Sequence, residues 1–288
     1  MKTLRSDIKK RRVRKARKER RRLVVILAAI FLMIFLIGKL TSAPEEEVVA
    51  KESINQEDAT VVAEESIIQS AIQPAKQKRP DGKPTGKVVY LTFDDGPTTL
   101  TDEFLDLLKE QDIQATFFMQ GINLQKIDLQ ENVKRATEEG HYVGAHSMTH
   151  NSKKLYDNGQ FVSEMSETLS LIQDITGTNP KLVRPPYGSA PGLKSQQIRN
   201  EIIKAGIKIW DWTIDSKDWA VKDNPNQIVE NIKKQTTTDI EVILMHEQLQ
   251  TLQALPKIIA FYKKNGYEFG VYNDADHFYL NFQNDTRL

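Results

Sequence analysis

From residue 87 onward, short apolar runs alternate with longer segments whose apolar residues recur every three or four positions. The runs are rich in β-branched and aromatic residues and predict buried strands at 88–93, 115–119, 142–146, 207–213 and 241–246. The amphipathic segments predict helices at 101–111, 129–140, 161–177, 226–235 and 249–265. Strands that alternate with helices over about 190 residues form parallel βα units, which favours a closed or nearly closed α/β barrel over a short open sheet.

The most apolar segment lies near the N-terminus, where residues 23–38 contain no polar side chain. With the next two residues it approaches the ~20 residues that cross a bilayer. A block of 13 basic and two acidic residues precedes it, and the positive-inside rule keeps such a block in the cytoplasm. We therefore expect a basic cytoplasmic tail at 1–22, a single-pass anchor in the cell membrane at 23–40, and the rest of the chain outside. Cleavage after Ala43, which would make the protein secreted, is the alternative.

The segment 41–85 is mostly polar, acidic in its first part and rich in proline, glycine and lysine in its second. Such a composition buries little apolar surface, so we expect a stalk, within which 48–72 could form a short amphipathic helix. Beyond the stalk we expect a catalytic domain at 86–273 and a C-terminal tail at 274–288.

Charge and composition narrow the possible functions. Outside residues 1–22 the chain has 27 basic and 37 acidic residues, a net charge of −10, and an acidic body is unsuited to binding nucleic acid. There is no cysteine, which excludes disulfides, thiol nucleophiles and cysteine-based zinc sites. A metal would therefore be held by Asp, Glu or one of the five histidines, which are His141, His146, His150, His246 and His277.

Unusual polar residues follow directly after the predicted strands, where parallel α/β folds build their sites. Asp94 and Asp95 leave the first strand and enter a Gly-Pro turn, so they are either functional carboxylates or simply turn residues. His146 and His150 follow the third strand. If that segment is helical, they share one face and can hold one metal ion; otherwise they are two unrelated surface residues.

Three further segments have the same placement. Arg184 opens the sequence Arg-Pro-Pro-Tyr-Gly, a stiff turn that can hold an arginine and a backbone N–H in fixed positions. Asp218 and Trp219 follow the fourth predicted strand, and His246 ends the fifth. The alternatives are an ordinary proline-rich turn, a helix cap with a packed tryptophan, and a structural histidine.

Taken together and in order, these segments resemble the motifs of the polysaccharide deacetylase family. These are the NodB-homology domains of carbohydrate esterase family 4, which include peptidoglycan N-acetylglucosamine deacetylases. The family pattern runs TFDDGP, H-[ST]-x-x-H, R-x-P-Y-G, D-x-x-D-W and L-x-H, and every element is present within residues 86–273. The resemblance implies a distorted (β/α) barrel of about seven strands and a hydrolase that removes N-acetyl groups from a polysaccharide.

The resemblance also implies roles for individual residues. Asp95, His146 and His150 correspond to the ligands of one divalent metal ion, expected to be zinc, with cobalt or another divalent ion as alternatives. Asp94 corresponds to the general base that deprotonates the attacking water. Arg184 corresponds to the residue that pairs with this base and holds it in place.

On the other side of the reacting bond, His246 corresponds to the general acid that protonates the departing amine, and Asp218 to its partner. The backbone N–H of Tyr187 corresponds to a donor for the oxyanion. Trp219 and Leu244 correspond to the apolar wall that receives the acetyl methyl group.

We expect the substrate to be N-acetylglucosamine of peptidoglycan, a polymer that a tethered enzyme outside the membrane can reach. The alternatives are N-acetylmuramic acid, chitin oligomers, O-acetylated xylan, a small acylated molecule, or a non-catalytic glycan-binding protein. The sequence indicates no protein partner. His141 and His277 match no motif; we expect a structural role for His141 and assign none to His277.

Overall fold

The structure is a computed structural model that describes residues 78–288. The strands in this range are β1 (Val88–Gly96), β2 (Thr116–Met119), β3 (Tyr142–Ala145), β4 (Leu182–Val183), β5 (Lys208–Ile209), β6 (Ile214–Asp215), β7 (Ile240–His246) and β8 (Glu268–Gly270). The α-helices are α1 (Thr101–Glu110), α2 (Gly121–Leu124), α3 (Ile127–Glu138), α4 (Phe161–Thr176), α5 (Gln196–Lys204), α6 (Pro225–Gln235) and α7 (Leu249–Lys264). A π-helical turn (Lys153–Asp157) and a 3₁₀ turn (Asp274–Asp276) complete the helices of this range.

All strand pairs in the sheet are parallel, in the order β5-β4-β3-β2-β1-β7-β6. The short β8 pairs with the first half of β1, and β2 pairs with the second half of β1 along the same edge. Within residues 78–288, no pairing joins β5 to β6, so the sheet curls into an open half-barrel. The predicted parallel α/β fold is confirmed, and its barrel is open.

The strand predicted at 207–213 is divided in the structure. β5 ends at Ile209 and β6 begins only at Ile214, because the backbone between them bonds to a segment distant in sequence. The Asp211 N–H donates to the carbonyl of Leu280 at 2.7 Å, and Trp210 forms an isolated bridge with the same residue. The prediction of one continuous strand was therefore wrong, because local apolar pattern does not indicate where a strand's partner changes.

Four short elements, β4, β8, α2 and α5, were not predicted. The two strands have only two and three residues, and α2 has four, too few for a periodic pattern. The longer α5 buries only Ile202. Hydrophobic periodicity identifies elements that bury a whole face, so elements this short or this exposed escape it.

Successive residues of β1 point to opposite faces of the sheet. Leu91 and Phe93 belong to the main core, which includes the helices, whereas Tyr90 belongs to a second apolar cluster. Asp94 lies on the same face as Tyr90 and Thr92, and its exposed fraction is 2%. The alternation that fills the core thus also brings a carboxylate into the interior at the end of the strand.

The last residues of the chain, predicted as part of a C-terminal tail, pack against the sheet. Leu288 is completely buried. The indole N–H of Trp210 donates to the carbonyl of Phe278 at 3.0 Å, and the two rings lie 5.0 Å apart. The C-terminal segment therefore contributes to the core of the unit that carries the strands.

The basic tail at 1–22, the anchor at 23–40 and most of the stalk at 41–85 lie outside the described residues. These boundaries, and that of the catalytic domain at 86–273, stay predictions. Among residues 78–288, no helix has the length and apolar character needed to cross a membrane.

Candidate active site

The carboxyl ends of β1 and β7 bring two of the predicted residues side by side. Asp94 and His246 are paired positions in the parallel ladder between these strands. In a parallel sheet all strands end at the same edge, so residues that follow neighbouring strands meet there. This pairing places a carboxylate and an imidazole side by side in the lining of one cavity.

Asp95 interrupts the alternation of β1. Its φ is 70°, in the left-handed region, and the ladder with β2 is irregular between Asp94 and Gly96. The amide of Gln120 donates to Asp95 Oδ1 at 2.5 Å, and the amide of Asn123 donates to the Asp95 carbonyl at 2.9 Å. Sequence reasoning missed both amides, although Gln120 directly follows β2, the placement that marked the other site residues.

The two motif histidines come together through a turn, not a helix. Ser147 and His150 both have positive φ, 63° and 51°. The His150 N–H donates to the hydroxyl of Ser147 at 2.9 Å. The rings of His146 and His150 lie 5.0 Å apart. We expected the two histidines to lie close together only if the segment were helical. The segment is a turn, and it nevertheless brings both rings close enough to bind one ion.

Asp95, His146 and His150 form a group that fits a metal ion. One ligand atom from each residue lies within 4.8 Å of the others. The Nε2 atoms of His146 and His150 lie 3.7 and 3.9 Å from Asp95 Oδ1. The Nδ1 of His146 is 2.7 Å from the carbonyl of Arg184, a geometry in which Nδ1 carries the proton and Nε2 has a free lone pair. Among the described residues this is the one group of three such side chains.

The pKa shifts of two members of this group match the protonation states of metal ligands. Burial opposes ionisation of Asp95, but the charges of His146 and His246 and the hydrogen bond from Gln120 outweigh it and lower the carboxyl pKa. Burial, and then the charge of His146, lowers the pKa of His150. An ionised carboxylate beside a neutral imidazole is the state in which both act as metal ligands.

Arg184 is completely buried beneath the cavity. Its Nη1 donates to Asp94 Oδ1 at 2.9 Å and to the hydroxyl of Thr92 at 2.6 Å. Its Nη2 donates to the carbonyl of Asp211 at 2.8 Å, and Nε donates to that of Trp210 at 3.2 Å. With all three nitrogens so engaged, the guanidinium holds the Asp94 carboxylate in one orientation.

Asp218 lies behind His246 and is also completely buried. Its Oδ1 is 2.8 Å from His246 Nδ1, and its Oδ2 accepts the hydroxyl of Thr251 at 2.6 Å. Burial lowers the pKa of His246, but the hydrogen bond and charge of Asp218, with the charges of Asp94 and Asp95, raise it to about 9. The imidazole is thus held as an imidazolium near neutral pH.

A cavity of about 430 Å³ joins these groups. Eight of the ten predicted residues line it: Asp94, Asp95, His146, His150, Tyr187, Trp219, Leu244 and His246. Arg184 and Asp218 lie behind the wall and touch the lining residues Asp94 and His246. Three lining residues were not predicted: Pro185, Trp212 and Asp215.

The rim of the cavity is aromatic. Tyr187 has a φ of 67° and an exposed fraction of 60%, and its hydroxyl donates to the carbonyl of His150 at 3.2 Å. Trp219, 54% exposed, forms another part of the wall, while Leu244 is almost completely buried. An apolar wall around convergent polar groups is typical of a site that binds a small part of a ligand precisely.

Two buried glutamates, which sequence reasoning missed, accept hydrogen bonds from the loops of the site. Glu164 on α4 accepts from the backbone N–H of Thr149 at 3.0 Å, within the turn that carries the two histidines. Glu247 accepts from the N–H of Thr98 at 3.1 Å. A Cβ at Gly96 would lie 2.0 Å from Glu247 Oε1, so any side chain there would displace this carboxylate.

The remaining histidines have partners of their own. His141 is buried, and its Nδ1 accepts from the N–H of Ala115 at 3.0 Å. Burial lowers the pKa of His141 to about 4, so the ring is neutral. His277 contacts the hydroxyl of Tyr272 and the carbonyl of Leu288, both at 2.9 Å. Neither lines the cavity.

Comparison with known proteins agrees with this arrangement. The sequence profile described as "Polysaccharide deacetylase" matches residues 81–210. The chain is 44% identical over 249 residues to a peptidoglycan-N-acetylglucosamine deacetylase of Bacillus cereus, which covers 82% of this chain and 90% of that protein. It is 44% identical over 195 residues to the putative polysaccharide deacetylase YheN of Bacillus subtilis, which covers 66% and 68%.

The fold is similar to a solved structure as well. The crystal structure of the polysaccharide deacetylase Bc1974 from Bacillus cereus superimposes with a TM-score of 0.68. That alignment has 48% sequence identity and covers 70% of this chain and all of that one.

Proposed function

Because the chain belongs to the polysaccharide deacetylase family, we propose that it is a metal-dependent enzyme that hydrolyses N-acetyl groups of peptidoglycan, at N-acetylglucosamine. The observation that carries the proposal is one cavity in which three metal donors, a buried carboxylate and a raised-pKa histidine converge. Amide hydrolysis needs a base for water, an acid for the leaving amine and a Lewis acid for the carbonyl.

Asp95, His146 and His150 would hold the divalent ion. One carboxylate and two imidazoles are a donor set that zinc accepts, and three protein ligands leave a position open for chemistry. When bound, such an ion supplies Lewis acidity, which polarises a carbonyl oxygen and lowers the pKa of water. The engaged Nδ1 of His146 supports this role, because it directs Nε2 toward Asp95.

Asp94 would be the general base. It lies next to the metal donors, with Oδ2 3.7 Å from His146 Nε2, but its Oδ1 is taken by Arg184. One oxygen is therefore fixed by an ion pair while the other faces the cavity. A carboxylate held this way can accept a proton from a water molecule in the cavity without moving.

His246 would be the general acid. Its Nδ1 is engaged with Asp218, so Nε2 is the nitrogen that can give a proton to the departing amine. Asp218 is a positioning residue, since it contacts His246 and not the cavity. The register that pairs Asp94 with His246 places the two proton-transfer groups on neighbouring strands.

The loop after β4 and the far wall would bind the acetyl group. The backbone N–H of Tyr187 would donate to the oxygen that becomes negative during attack. Leu244 and Trp219 would contact the methyl group, as apolar neighbours of the catalytic pair. Trp212, which also lines the cavity, extends this wall.

We further propose that the enzyme is anchored in the cell membrane, with its active site outside. The support is that residues 1–22 contain 13 basic residues and lie directly before the apolar segment 23–38. A tethered enzyme acts on polymer close to the membrane, which favours peptidoglycan over a diffusing acetylated molecule.

Acetate release tests the activity and the substrate together. The purified, zinc-loaded protein is incubated with peptidoglycan, chitin oligomers and O-acetylated xylan, with Asp94→Asn as the inactive control. We expect acetate from peptidoglycan, and sugar analysis should find glucosamine as the new residue. Release from xylan alone would favour an ester substrate, new muramic acid would assign the other sugar, and release from none would contradict the proposal.

A further inference from the structure

A buried carboxylate, that of Asp211, forms hydrogen bonds to the loop that carries Tyr187. This residue belongs to none of the sequence motifs. Asp211 is completely buried. Its Oδ1 accepts the N–H of Ser189 at 2.9 Å, and its Oδ2 accepts the Ser189 hydroxyl at 2.5 Å. The same Oδ2 accepts the N–H of Phe282 at 2.7 Å. One carboxylate thus joins the loop after Tyr187 to the C-terminal segment.

The side chain of Phe282 presses on the same loop. Gly188 has a φ of 83°, and a Cβ there would lie 2.9 Å from Phe282 Cε2 and 3.2 Å from Trp212 Cη2. The rings of Phe282 and Trp212 meet edge to face with centroids 5.0 Å apart. Gln283 adds a hydrogen bond, from its amide to the Ser189 carbonyl at 2.9 Å. The loop is therefore packed between the cavity and the C-terminal segment.

The contacts of Asp211 also connect this loop to the catalytic groups. The carbonyl of Asp211 accepts from Arg184, whose Nη1 holds Asp94. Trp212, the neighbour of Asp211, lines the cavity. A shift of the C-terminal segment would consequently move the Tyr187 N–H and the aromatic wall.

We propose that Phe282 and Asp211 are positioning residues for deacetylation, which hold the backbone N–H of Tyr187 where the oxyanion forms. Phe282 is then the part of the C-terminal segment that supports the active site. Two facts distinguish this role from general packing: Phe282 is 42% exposed, so it fills little core, and its ring lies against the Tyr187–Gly188 loop. The inference rests on the proposed function, because it assigns Tyr187 its oxyanion role.

The test compares Phe282→Ala and Phe282→Tyr in the zinc-loaded protein. Arg287→Ala is the matched control, since Arg287 lies on the same segment but contacts Asp285 and Asn200 rather than the loop. Each variant is measured for kcat and KM in acetate release, for zinc affinity by competition with a chelating dye, and for hydrogen exchange of the peptide covering 185–191.

We expect Phe282→Ala to lower kcat by about 10- to 100-fold, the effect of a small misplacement of a catalytic group. KM and zinc affinity should stay within about twofold, because neither the metal donors nor ground-state contacts change. Exchange in 185–191 should rise, and Phe282→Tyr, which keeps the ring, should restore both kcat and protection.

If the wild-type enzyme is active, three outcomes would overturn the inference. The first is unchanged exchange in 185–191 in Phe282→Ala. The second is raised exchange with an unchanged kcat. The third is an equal loss of kcat in Arg287→Ala, which would indicate a structural role for the whole segment. A wild-type protein that releases no acetate would instead contradict the proposed function, so the two failures are separable.

Discussion

Asp218 binds His246 through both of its carboxylate oxygens. Oδ1 lies 2.8 Å from the imidazole Nδ1, while Oδ2 accepts the backbone N–H of His246 at 2.7 Å. The same carboxylate therefore fixes the main chain and the ring, and it does so where it is completely buried. Such a pairing sets both the direction and the protonation of the imidazole.

This pairing predicts the alkaline limit of activity. Because the pKa of His246 is raised to about 9, the general acid is protonated below that pH and acetate release should fall as the pH rises through about 9. Asp218→Asn removes the charge that raises this pKa, so the alkaline limit should move down by about 1–3 pH units. A profile of kcat/KM against pH, which reports the pKa values of the free enzyme, gives the shift for both proteins.

The same pKa shift affects folding in a predictable direction. The imidazolium of His246 stabilises the folded state fully below the ordinary histidine pKa, and this contribution is lost as the pH rises through about 9. In Asp218→Asn the loss should occur at lower pH. An alkaline limit that stayed in place in this variant would contradict the assignment of His246 as the acid.

Two neighbouring aspartates should respond differently to the same substitution. Asp94→Asn leaves Asp95, His146 and His150 intact, so it should retain zinc while losing about 10²–10⁴ in rate. Asp95→Asn replaces a charged ligand by a neutral one, so zinc affinity itself should fall. Zinc content per protein, measured beside acetate release, separates the two effects. Loss of zinc in Asp94→Asn with retention in Asp95→Asn would reverse the assignment.

Zinc should stabilise the apoprotein. An ion that binds only the folded state adds about 2.7 kcal/mol at a concentration 100 times its Kd. The chelated protein should therefore melt at a higher temperature after zinc is added, and activity should return with it. His150→Ala removes one donor and should lose most of this shift, whereas His141→Ala should keep it, because His141 lies outside the donor group. An equal shift in both variants would place the zinc elsewhere.

Arg184 should be essential to the fold as well as to the site. Arg184→Met leaves the buried Asp94 carboxylate without its partner, and breaking a buried ion pair costs about 3–5 kcal/mol. Arg79→Met is the control, because Arg79 and its partner Asp239 are both exposed, and such a pair contributes about 0–1 kcal/mol. Urea unfolding measures both. Equal losses in the two variants would mean that burial adds nothing to the Arg184–Asp94 pair.

The proposed anchor makes a separate prediction. If residues 23–40 stay in the membrane, protein isolated from membranes should begin at its original N-terminus. N-terminal sequencing decides this, since a mature chain that begins at Pro44 would show instead that the segment is a cleaved signal peptide.

Much of the site was accessible from sequence because its residues follow directly after predicted strands. A parallel sheet brings the carboxyl ends of its strands to one edge, so these residues meet there. The order of the motifs along the chain then identified the family. Eight of the ten predicted residues line one cavity as a result.

The sequence could not indicate contacts between single residues that lie far apart in the chain. His146 and His150 meet through a turn with two left-handed residues, not through helical spacing. The role of Asp211 depends on Ser189 and Phe282 arriving at one carboxylate from two other segments.

By itself, then, the sequence determined the parallel α/β fold, the family and the site residues that follow the predicted strands. These follow from local periods and from motifs a few residues long. Tertiary structure alone decided that the barrel stays open, that Gln120 contacts Asp95, and that the C-terminal segment packs behind Tyr187. Those features depend on which distant groups satisfy buried polar atoms, and that is settled only when the whole chain packs.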